Sequence, residues 1–386
     1  MLTFRRRPGL LAARWRPLCM TILLVMAAAA PAHGATFTVD RTDDDRTQTA
    51  CDEATPNDCS LRGAVLAANA LDEPSTINVP AGHYVLTDGA GCSFHGSQDP
   101  NDNIPVGTVG ICVLKNITIA GASADDTIID ANQAPGAPGV SNPALWIDAF
   151  ATVVVRDVTI TKGNFTIGAG FGHGGGFHNS GTLTVVDAKL TANYSGGFGG
   201  GAVYNQAGTL TLIRTEVSQN TASGQGGGLV NSFGTISVVD SLVTLNQAGG
   251  QGGGICNFAG VTTITGSTLV DNVADTGGGA FNSNFDTMIV TNTTVRGNLA
   301  RFGGGIFNDQ SGMTLASVTI TNNTARWDGE PGRAAGGGLG TLDGSITTVR
   351  NSIIAGNEVA ATLAAERRRI GLPRMSPIGS LHADWT

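Results

Sequence analysis

Apolar and polar residues alternate along most of the chain, and short glycine-rich stretches interrupt this alternation at regular intervals. The segment 182–185 is typical, with the sequence Thr-Leu-Thr-Val. Alternation at every second position, together with many β-branched residues, predicts half-buried β-strands. The repeats contain no stretch of ten residues with helical periodicity, so we expect an all-β fold there.

The glycine-rich stretches mark an internal repeat of about 26 residues. Six copies consist of Gly-Gly-Gly or Gly-Gly-Ala, two further residues and an asparagine, and a seventh copy ends at Thr341. Successive asparagines are 26, 26, 26, 25 and 26 residues apart. They are Asn179, Asn205, Asn231, Asn257, Asn282 and Asn308. A second series runs in phase with the first: Asn193, Asn220, Asn246, Asn272, Asn298 and Asn323.

Each repeat has room for three strand-like pieces joined by bends that contain glycine and asparagine. An apolar column lies eight residues before the second asparagine series and comprises Val185, Leu212, Val238, Ile264, Val290 and Leu315. One repeat cannot bury its own apolar face, so stacked repeats must supply the core. We therefore predict a single-stranded, right-handed parallel β-helix. In this fold the asparagines of the first series stack as a hydrogen-bonded ladder.

An N-terminal motif gives this solenoid a resemblance to a known family. Residues 59–69 have the sequence Cys-Ser-Leu-Arg-Gly-Ala-Val-Leu-Ala-Ala-Asn. This segment resembles the signature of bacterial CSLREA-domain proteins, although Gly63 stands where that signature has Glu and Val65 where it has Ile. The glycine repeats are similar to polymorphic outer-membrane-protein repeats and, more broadly, to pectin-lyase-like β-helices. The resemblance covers Thr36 to about Asn357, and implies an exported, often surface-exposed β-helix with no assigned catalytic activity.

Four regions are expected along the chain. Residues 1–34 have the basic, apolar and small-residue segments of a signal peptide, with cleavage before Ala35. Residues 35–145 hold the cap and the first rungs, and residues 146–357 hold the β-helix repeats. An amphipathic helix at 61–71, with Ser60 as N-cap, is expected to cover the first rung. Residues 358–386 lose the repeat pattern, which predicts an irregular tail, truncated or frame-shifted.

Charge and composition exclude some partners. Without the five arginines of the signal segment, the chain keeps 17 basic and 30 acidic residues, a net charge of −13. A nucleic-acid partner is not expected, because phosphate binding requires clustered Lys and Arg. No stretch after the signal peptide is long and apolar enough to predict a membrane span.

The cysteines of the exported chain predict two local disulfides. Export permits disulfide formation, and we favour Cys51–Cys59 and Cys92–Cys112 over the two other pairings that these four residues allow. Cys256 shares a column with His178, Tyr204, Val230, Phe281 and Phe307, which predicts a packed thiol. If the aromatic members of this column were exposed, they would instead form a carbohydrate-binding strip.

Three groups of residues are candidates for chemistry. Asp187, Arg214 and Asp240 are expected on successive rungs, where they resemble the acids and the arginine base of a polysaccharide lyase; a solvated charge ladder is the simpler interpretation. His95, His173 and His178 lack the further ligands of a zinc site. The acidic segment Asp40, Asp43, Asp44 and Asp45 is a solvated loop or a Ca²⁺ site.

We therefore expect a secreted or cell-surface β-helix that serves adhesion or interaction, without catalytic residues, a metal site or a cofactor other than Ca²⁺. The expected partner is a polysaccharide or a cell-surface glycan. The alternative is a polysaccharide lyase or glycoside hydrolase with the pectin-lyase-like fold. An acid cluster in a groove favours the enzyme, and faces with only Thr and Asn favour the scaffold. The sequence leaves the oligomeric state open.

Overall fold

The computed structural model describes residues 34–87, 110–132, 143–166, 173–326, 336–342 and 344–360. These residues form long sheets of parallel strands, and the strands of each sheet follow one another at intervals of one repeat. The predicted parallel β-helix is therefore confirmed. Residues 1–33 of the expected signal peptide, Cys92, His95 and residues 361–386 of the expected tail lie outside the described residues, so these predictions are not tested.

The largest sheet has eleven strands, and most of them have five residues. Their side chains alternate between core and solvent, because successive residues of a strand point to opposite faces. The register is constant: Leu183 pairs with Leu210, and Leu210 pairs with Ile236. The strands are Thr36–Thr38, Ser75–Val79, Ile117–Gly121, Thr152–Arg156, Thr182–Val186, Thr209–Ile213, Thr235–Val239, Val261–Thr265, Thr287–Thr291, Gly312–Ala316 and Ile346–Arg350.

Two further long sheets complete the wall of the β-helix. The ten-stranded sheet contains Gly82–Val85, Thr127–Asp130, Thr159–Thr161, Lys189–Thr191, Glu216–Ser218, Leu242–Thr244, Thr268–Val270, Thr294–Arg296, Thr319–Thr321 and Ile353–Ala355. The nine-stranded sheet contains Ile111–Val113, Leu145–Ile147, Phe177–Asn179, Val203–Gln206, Leu229–Ser232, Ile255–Phe258, Ala280–Ser283, Ile306–Asn308 and Leu339–Thr341.

The prediction of three strands per repeat is wrong for most of the described rungs, which have a short fourth strand between the second asparagine and the glycines. These strands are Asn164–Phe165, Tyr194–Ser195, Thr221–Ala222, Gln247–Ala248, Leu299–Ala300, Thr324–Arg326 and Glu358–Ala360. These strands form a four-stranded and a three-stranded sheet. Val273 makes isolated β-bridges to Gln247 and to Leu299, so the second sheet continues the first along the solenoid. The final strand extends three residues beyond the predicted end of the repeats at residue 357.

The core lies inside the coil and is built from the predicted apolar columns. Val185 pairs with Leu212, and every member of that column from Val185 to Leu315 is fully buried. Leu190 and Val217 form the facing column on the ten-stranded sheet. Stacking therefore removes from water the apolar face that a single rung would expose, as expected for a solenoid.

A helix and a first strand cover the N-terminal end. The helix is Leu61–Asn69, two residues shorter than predicted, and Ser60 Oγ accepts the Gly63 N–H at 2.9 Å as its N-cap. Leu61, Val65 and Ala68 belong to the same buried cluster as the first rungs. The strand Thr36–Thr38 pairs with Thr76–Asn78 and was not anticipated. Within the described residues no helix is long and apolar enough to span a membrane.

Two residues of the segment 59–69, Arg62 and Gly63, have clear structural roles in the cap. Arg62 makes a buried ion pair with Asp44, with Nε and Nη2 at 2.7 and 2.8 Å from its carboxylate oxygens. A Cβ atom at Gly63 would lie 1.8 Å from the Gln48 carbonyl oxygen. A residue with a side chain therefore has no room at position 63 of this cap unless the backbone shifts.

Candidate functional site

The first asparagine series forms a continuous buried ladder. Asn179 Nδ2 donates to Asn205 Oδ1 at 2.7 Å, Asn205 Nδ2 donates to Asn231 Oδ1 at 3.0 Å, and the pattern continues through Asn257 and Asn282 to Asn308. Most of these amides also donate to backbone carbonyls of the adjacent bend, as Asn231 does to Gly234 O. The ladder satisfies buried bend groups, so its members are structural and not ligand-binding.

The second series forms another such ladder in the bend that follows the ten-stranded sheet. Asn220 Nδ2 donates to Asn246 Oδ1 at 2.9 Å and to the Leu190 carbonyl at 2.8 Å, while the Asn220 backbone N–H also donates to Asn246 Oδ1. The ladder runs from Asn193 to Asn357. Two fully bonded amide columns thus fix the bends that flank the ten-stranded and nine-stranded sheets.

We call Asp187, Arg214 and Asp240 the polar stack. Only two of these three side chains are bonded to each other in the structure. Arg214 Nε and Nη2 each donate to Asp187 at 2.7 Å, in an exposed bidentate pair. This hydrogen bond raises the pKa of Arg214 and lowers the pKa of Asp187. Asp240 adds only an unbonded charge near Arg214. An arginine held as a cation is a poor base, so the stack resembles a surface charge ladder more than a lyase site.

All three members of the stack occupy a bend whose backbone is left-handed. Their φ angles are 50°, 47° and 47°, and Gly266 and Asn292 occupy the same bend on the following rungs with φ of 63° and 48°. Asp, Asn and Gly tolerate this conformation better than other residues. Backbone geometry therefore accounts for the Asp, Gly and Asn residues of this column without a ligand, but not for Arg214.

The column that contains Cys256 is buried, so it offers no exposed carbohydrate-binding strip. Tyr204, Val230, Cys256, Phe281 and Phe307 form a second hydrophobic cluster on the outer face of the nine-stranded sheet. The glycine-rich segment covers it, because a Cβ atom at Gly226 would lie 2.4 Å from Val230 Cγ2. Burial raises the pKa of the Cys256 thiol, as expected for a packed cysteine rather than a nucleophile.

His178 caps this cluster as a buried, neutral side chain. Its ring stacks on Trp146 with centroids 3.7 Å apart, and burial lowers its pKa to about 3. His173 lies against Tyr204 and Phe198, at centroid distances of 4.3 and 5.4 Å. These two histidines are therefore part of an aromatic cluster. Within the described ranges no three His, Cys, Asp or Glu side chains are placed to hold a metal ion.

The acidic segment of the cap holds its carboxylates apart. Asp43 pairs with Arg41, Asp44 with Arg62, and Asp45 Oδ1 accepts the Thr47 N–H at 2.9 Å. Asp40 Oδ1 accepts the Cys59 N–H at 2.9 Å. Each carboxylate is thus turned toward its own donor, and Ca²⁺ binding at this loop stays a prediction.

The cysteines agree with the predicted pattern as far as the described residues reach. Cys51 and Cys59 form a disulfide, and Cys256 is a buried thiol. Cys112 is also disulfide-bonded. Its predicted partner Cys92 lies outside the described residues, so that pairing stays a prediction.

The outer face of the eleven-stranded sheet carries no charge over six consecutive strands, from Thr182–Val186 to Gly312–Ala316. Three residues of each strand point outward, and these eighteen positions hold ten Thr and one Ser. The others are Val, Ile, Gly and Ala. We call this surface the threonine face. Because rungs repeat about every 4.8 Å, the face is about 25 Å long.

Exposed phenylalanines follow one edge of the threonine face. Phe150, Phe233 and Phe285 are 84%, 69% and 86% exposed, and each lies in the bend that leads from the nine-stranded to the eleven-stranded sheet. We call these residues the phenylalanine row. Sequence reasoning missed them, although a large apolar residue next to the glycine or aspartate of a bend, as in Phe233-Gly234, is a usable signal.

A pocket of about 120 Å³ lies along the line of short strands, lined by Gln247, Val273, Leu299, Arg301 and Arg326 among others. Small-molecule sites usually have volumes of about 300–1,000 Å³. The open surfaces of the solenoid are therefore better candidates for function than this pocket.

Comparison with known proteins gives no assignment: no family model matches the chain, and no curated protein matches it either. The functional argument therefore rests on the geometry of the described surfaces.

Proposed function

We propose that this chain is an exported, non-enzymatic β-helix that serves adhesion or interaction at the cell surface, as the resemblance to CSLREA-domain proteins implies. The main structural support for this proposal is the threonine face. A rigid, uncharged surface of hydroxyl and methyl groups binds at a low desolvation cost, because no ion loses its hydration shell. β-Branched side chains have few rotamers, so little rotamer entropy is lost when the face is covered.

The enzymatic alternative is a polysaccharide lyase or glycoside hydrolase. Such chemistry requires paired carboxylates, or a base together with cationic groups that stabilise developing charge. The polar stack offers one arginine already bonded to Asp187, and the next rungs place Gly266 and Asn292 at the same bend. The threonine face supplies no acid or base. These observations favour the scaffold.

The test is a binding and turnover experiment on the exported protein. A Thr211→Lys/Thr263→Lys double variant places two charges two rungs apart on the threonine face, and should weaken binding to whole cells and glycan surfaces at least tenfold. Thr268→Lys/Thr319→Lys is the matched control on the ten-stranded sheet, because these threonines are equally half-buried. The control should bind like the wild type, and neither protein should shorten the glycans.

Two results would contradict the proposal. One is release of shortened or unsaturated products by the wild type, which would establish the enzymatic alternative. The other is equal loss of binding in both double variants, because the threonine face would then have no special role. Localisation is tested separately: antibody against the chain should detect it in the medium or on intact cells.

A further inference from the structure

Two of the three members of the phenylalanine row have an unfavourable backbone conformation. Phe233 and Phe285 have φ angles of 60° and 62°, in the left-handed region that bulky residues rarely adopt. The rungs between and before them place Ala259 and Ala207 at the equivalent bend with φ of 60° and 53°. The fold therefore needs only a small residue here, and neither the backbone nor the core explains the aromatic rings.

The exposure of these rings is a second unfavourable feature, because their apolar surface stays in contact with water. Phe285 is 86% exposed and Phe150 84% exposed, so neither ring contributes appreciably to the buried core. Strained residues and exposed apolar side chains both concentrate at binding sites. Both features coincide at Phe233 and Phe285, and Phe150 shares the exposure alone, which points to a role in recognition that centres on Phe233 and Phe285.

The spacing of the row defines the shape of its ligand. The register aligns Ile147, Asn179, Asn205, Asn231, Asn257 and Asn282, so Phe150 and Phe233 lie three rungs apart and Phe233 and Phe285 two rungs apart. At about 4.8 Å per rung these axial separations are about 14 and 10 Å. The row is one residue wide and about 24 Å long, which fits an extended chain rather than a globular surface.

The surroundings of the row define the chemistry of its ligand. Thr152, Thr235 and Thr287 begin the adjacent strands, with exposed side chains. The nearest carboxylates in sequence, Asp148 and Asp286, are each only 8% exposed. Asp309, in the same bend one rung beyond Phe285, is half-buried, so no fully exposed carboxylate lies beside the row at these positions. Aromatic faces carry partial negative charge and attract C–H groups of a ring placed over them, while threonine hydroxyls both donate and accept hydrogen bonds.

We propose that the phenylalanine row binds a linear, uncharged polysaccharide, with sugar rings stacked on Phe233 and Phe285 and the chain parallel to the solenoid axis. Sugar rings present C–H faces to the phenylalanines and hydroxyl groups to the threonines at the edge of the face. An acidic polysaccharide is disfavoured, because the exported chain keeps 17 basic and 30 acidic residues, a net charge of −13. This inference rests on the proposed scaffold function and names the ligand class of the same surface.

Affinity electrophoresis and calorimetry test the inference with mixed-linkage β-glucan, xyloglucan, galactomannan and, as an acidic comparator, polygalacturonate. Phe233→Ala and Phe285→Ala should each weaken binding to at least one neutral polymer by about tenfold or more, and the double variant by more than either. Leu245→Ala is the matched control. Leu245 is 52% exposed and has φ of 56°, but lies at the bend after the ten-stranded sheet.

The variants should fold normally, because alanine is native at the same bend on two other rungs. Circular dichroism and thermal unfolding check this point. The inference is overturned if no neutral polymer binds, if polygalacturonate binds more tightly than every neutral polymer, or if Leu245→Ala loses as much affinity as Phe233→Ala. Loss of self-association in Phe233→Ala, without loss of polymer binding, would assign the row to contact with a second copy and also overturn it.

Failure here is distinguishable from failure of the proposed function. If the wild type binds cells or glycans through the threonine face but Phe233→Ala binds equally well, only the phenylalanine row is misassigned. If the wild type degrades the polymers, the scaffold function itself is wrong.

Discussion

Asn231 sits in the middle of the first asparagine ladder, and its replacement by alanine is expected to destabilise the fold strongly. Its side-chain amide donates to Asn257 Oδ1 at 2.9 Å, to Gly234 O at 3.0 Å and to Val261 O at 3.1 Å, and its Oδ1 accepts from Asn205 at 3.0 Å. The three acceptors share the two hydrogens of the amide, so three to four bonds are lost, and at about 1 kcal/mol per hydrogen bond they amount to about 3–4 kcal/mol.

The expected loss of stability is smaller than this sum, because two neighbouring side chains keep other hydrogen bonds. Asn205 Nδ2 keeps its bond to Gly208 O at 2.9 Å, and Asn257 Oδ1 still accepts from Thr262 Oγ1 at 2.8 Å. These two groups remain satisfied in the variant. We therefore expect Asn231→Ala to lower the free energy of unfolding by about 3 kcal/mol, measured by equilibrium denaturation in urea.

The isosteric change Asn231→Asp separates hydrogen bonding from volume. A carboxylate at this position faces Asn257 Oδ1, Gly234 O and Val261 O, all acceptors, so the buried charge has no donor to compensate it at these contacts. Burial raises the carboxyl pKa, and the loss of stability should exceed that of Asn231→Ala at pH 7 and shrink at pH 4.

Asn78 is the control, because its side chain is exposed on the outer face of the strand Ser75–Val79. Asn78→Ala should change the free energy of unfolding by less than 0.5 kcal/mol or so, the usual range for surface substitutions. The reasoning is refuted if Asn231→Ala is no more destabilising than Asn78→Ala. It is equally refuted if the Asn231→Asp defect does not depend on pH.

The β-helix could be predicted from the sequence, because the two features that determine it, the alternation of apolar residues and the repeat length, are both periodic. Alternation at every second residue located the strands, and the 26-residue interval aligned Val185 with Leu212 and Asn179 with Asn205. Periodicity predicts the position of a residue on a rung and its neighbours above and below. It does not predict what covers the outer face of a sheet.

That limit explains the column of His178, Tyr204 and Phe281. The repeat spacing placed these side chains in one column, but it left both a packed column and an exposed strip as interpretations. The structure buries them because the glycine-rich segment folds over the nine-stranded sheet: a Cβ atom at Gly303 would lie 2.7 Å from Phe307 Cβ. Such coverage depends on left-handed glycine conformations that a hydrophobic pattern does not record.

The phenylalanine row was missed for the opposite reason. Bends are expected to be polar, so a single aromatic residue between strands is easily assigned to the adjacent strand. Only the φ angle of Phe233 and its exposure show that it belongs to the bend. The short fourth strands were missed because two residues are too few to show alternation.

Three further changes test the physical account of the cap, the polar stack and a buried acid. Removal of the Cys51–Cys59 disulfide, which closes a loop with a sequence separation of 8, by Cys51→Ser/Cys59→Ser should lower the free energy of unfolding by about 2 kcal/mol in urea titrations, and equal stability of this double variant and the wild type would contradict this. Arg214→Ala should leave the thermal midpoint unchanged within error, because its pair with Asp187 is exposed. Asp286→Asn should stabilise the protein at neutral pH. Asp286 is 8% exposed, one of its carboxylate oxygens lacks a hydrogen-bond partner, and burial raises its pKa to about 6. Its pKa in the unfolded chain is about 3.9, so the folded state holds a proton that the unfolded state releases between these values. The ionised carboxylate therefore destabilises the fold above pH 6, by about 3 kcal/mol, and this cost disappears as the pH falls toward 4. Urea titrations of wild type and Asp286→Asn from pH 4 to pH 8 should show a gap that opens with rising pH, and a gap of constant size would mean that the carboxylate is not buried as charge.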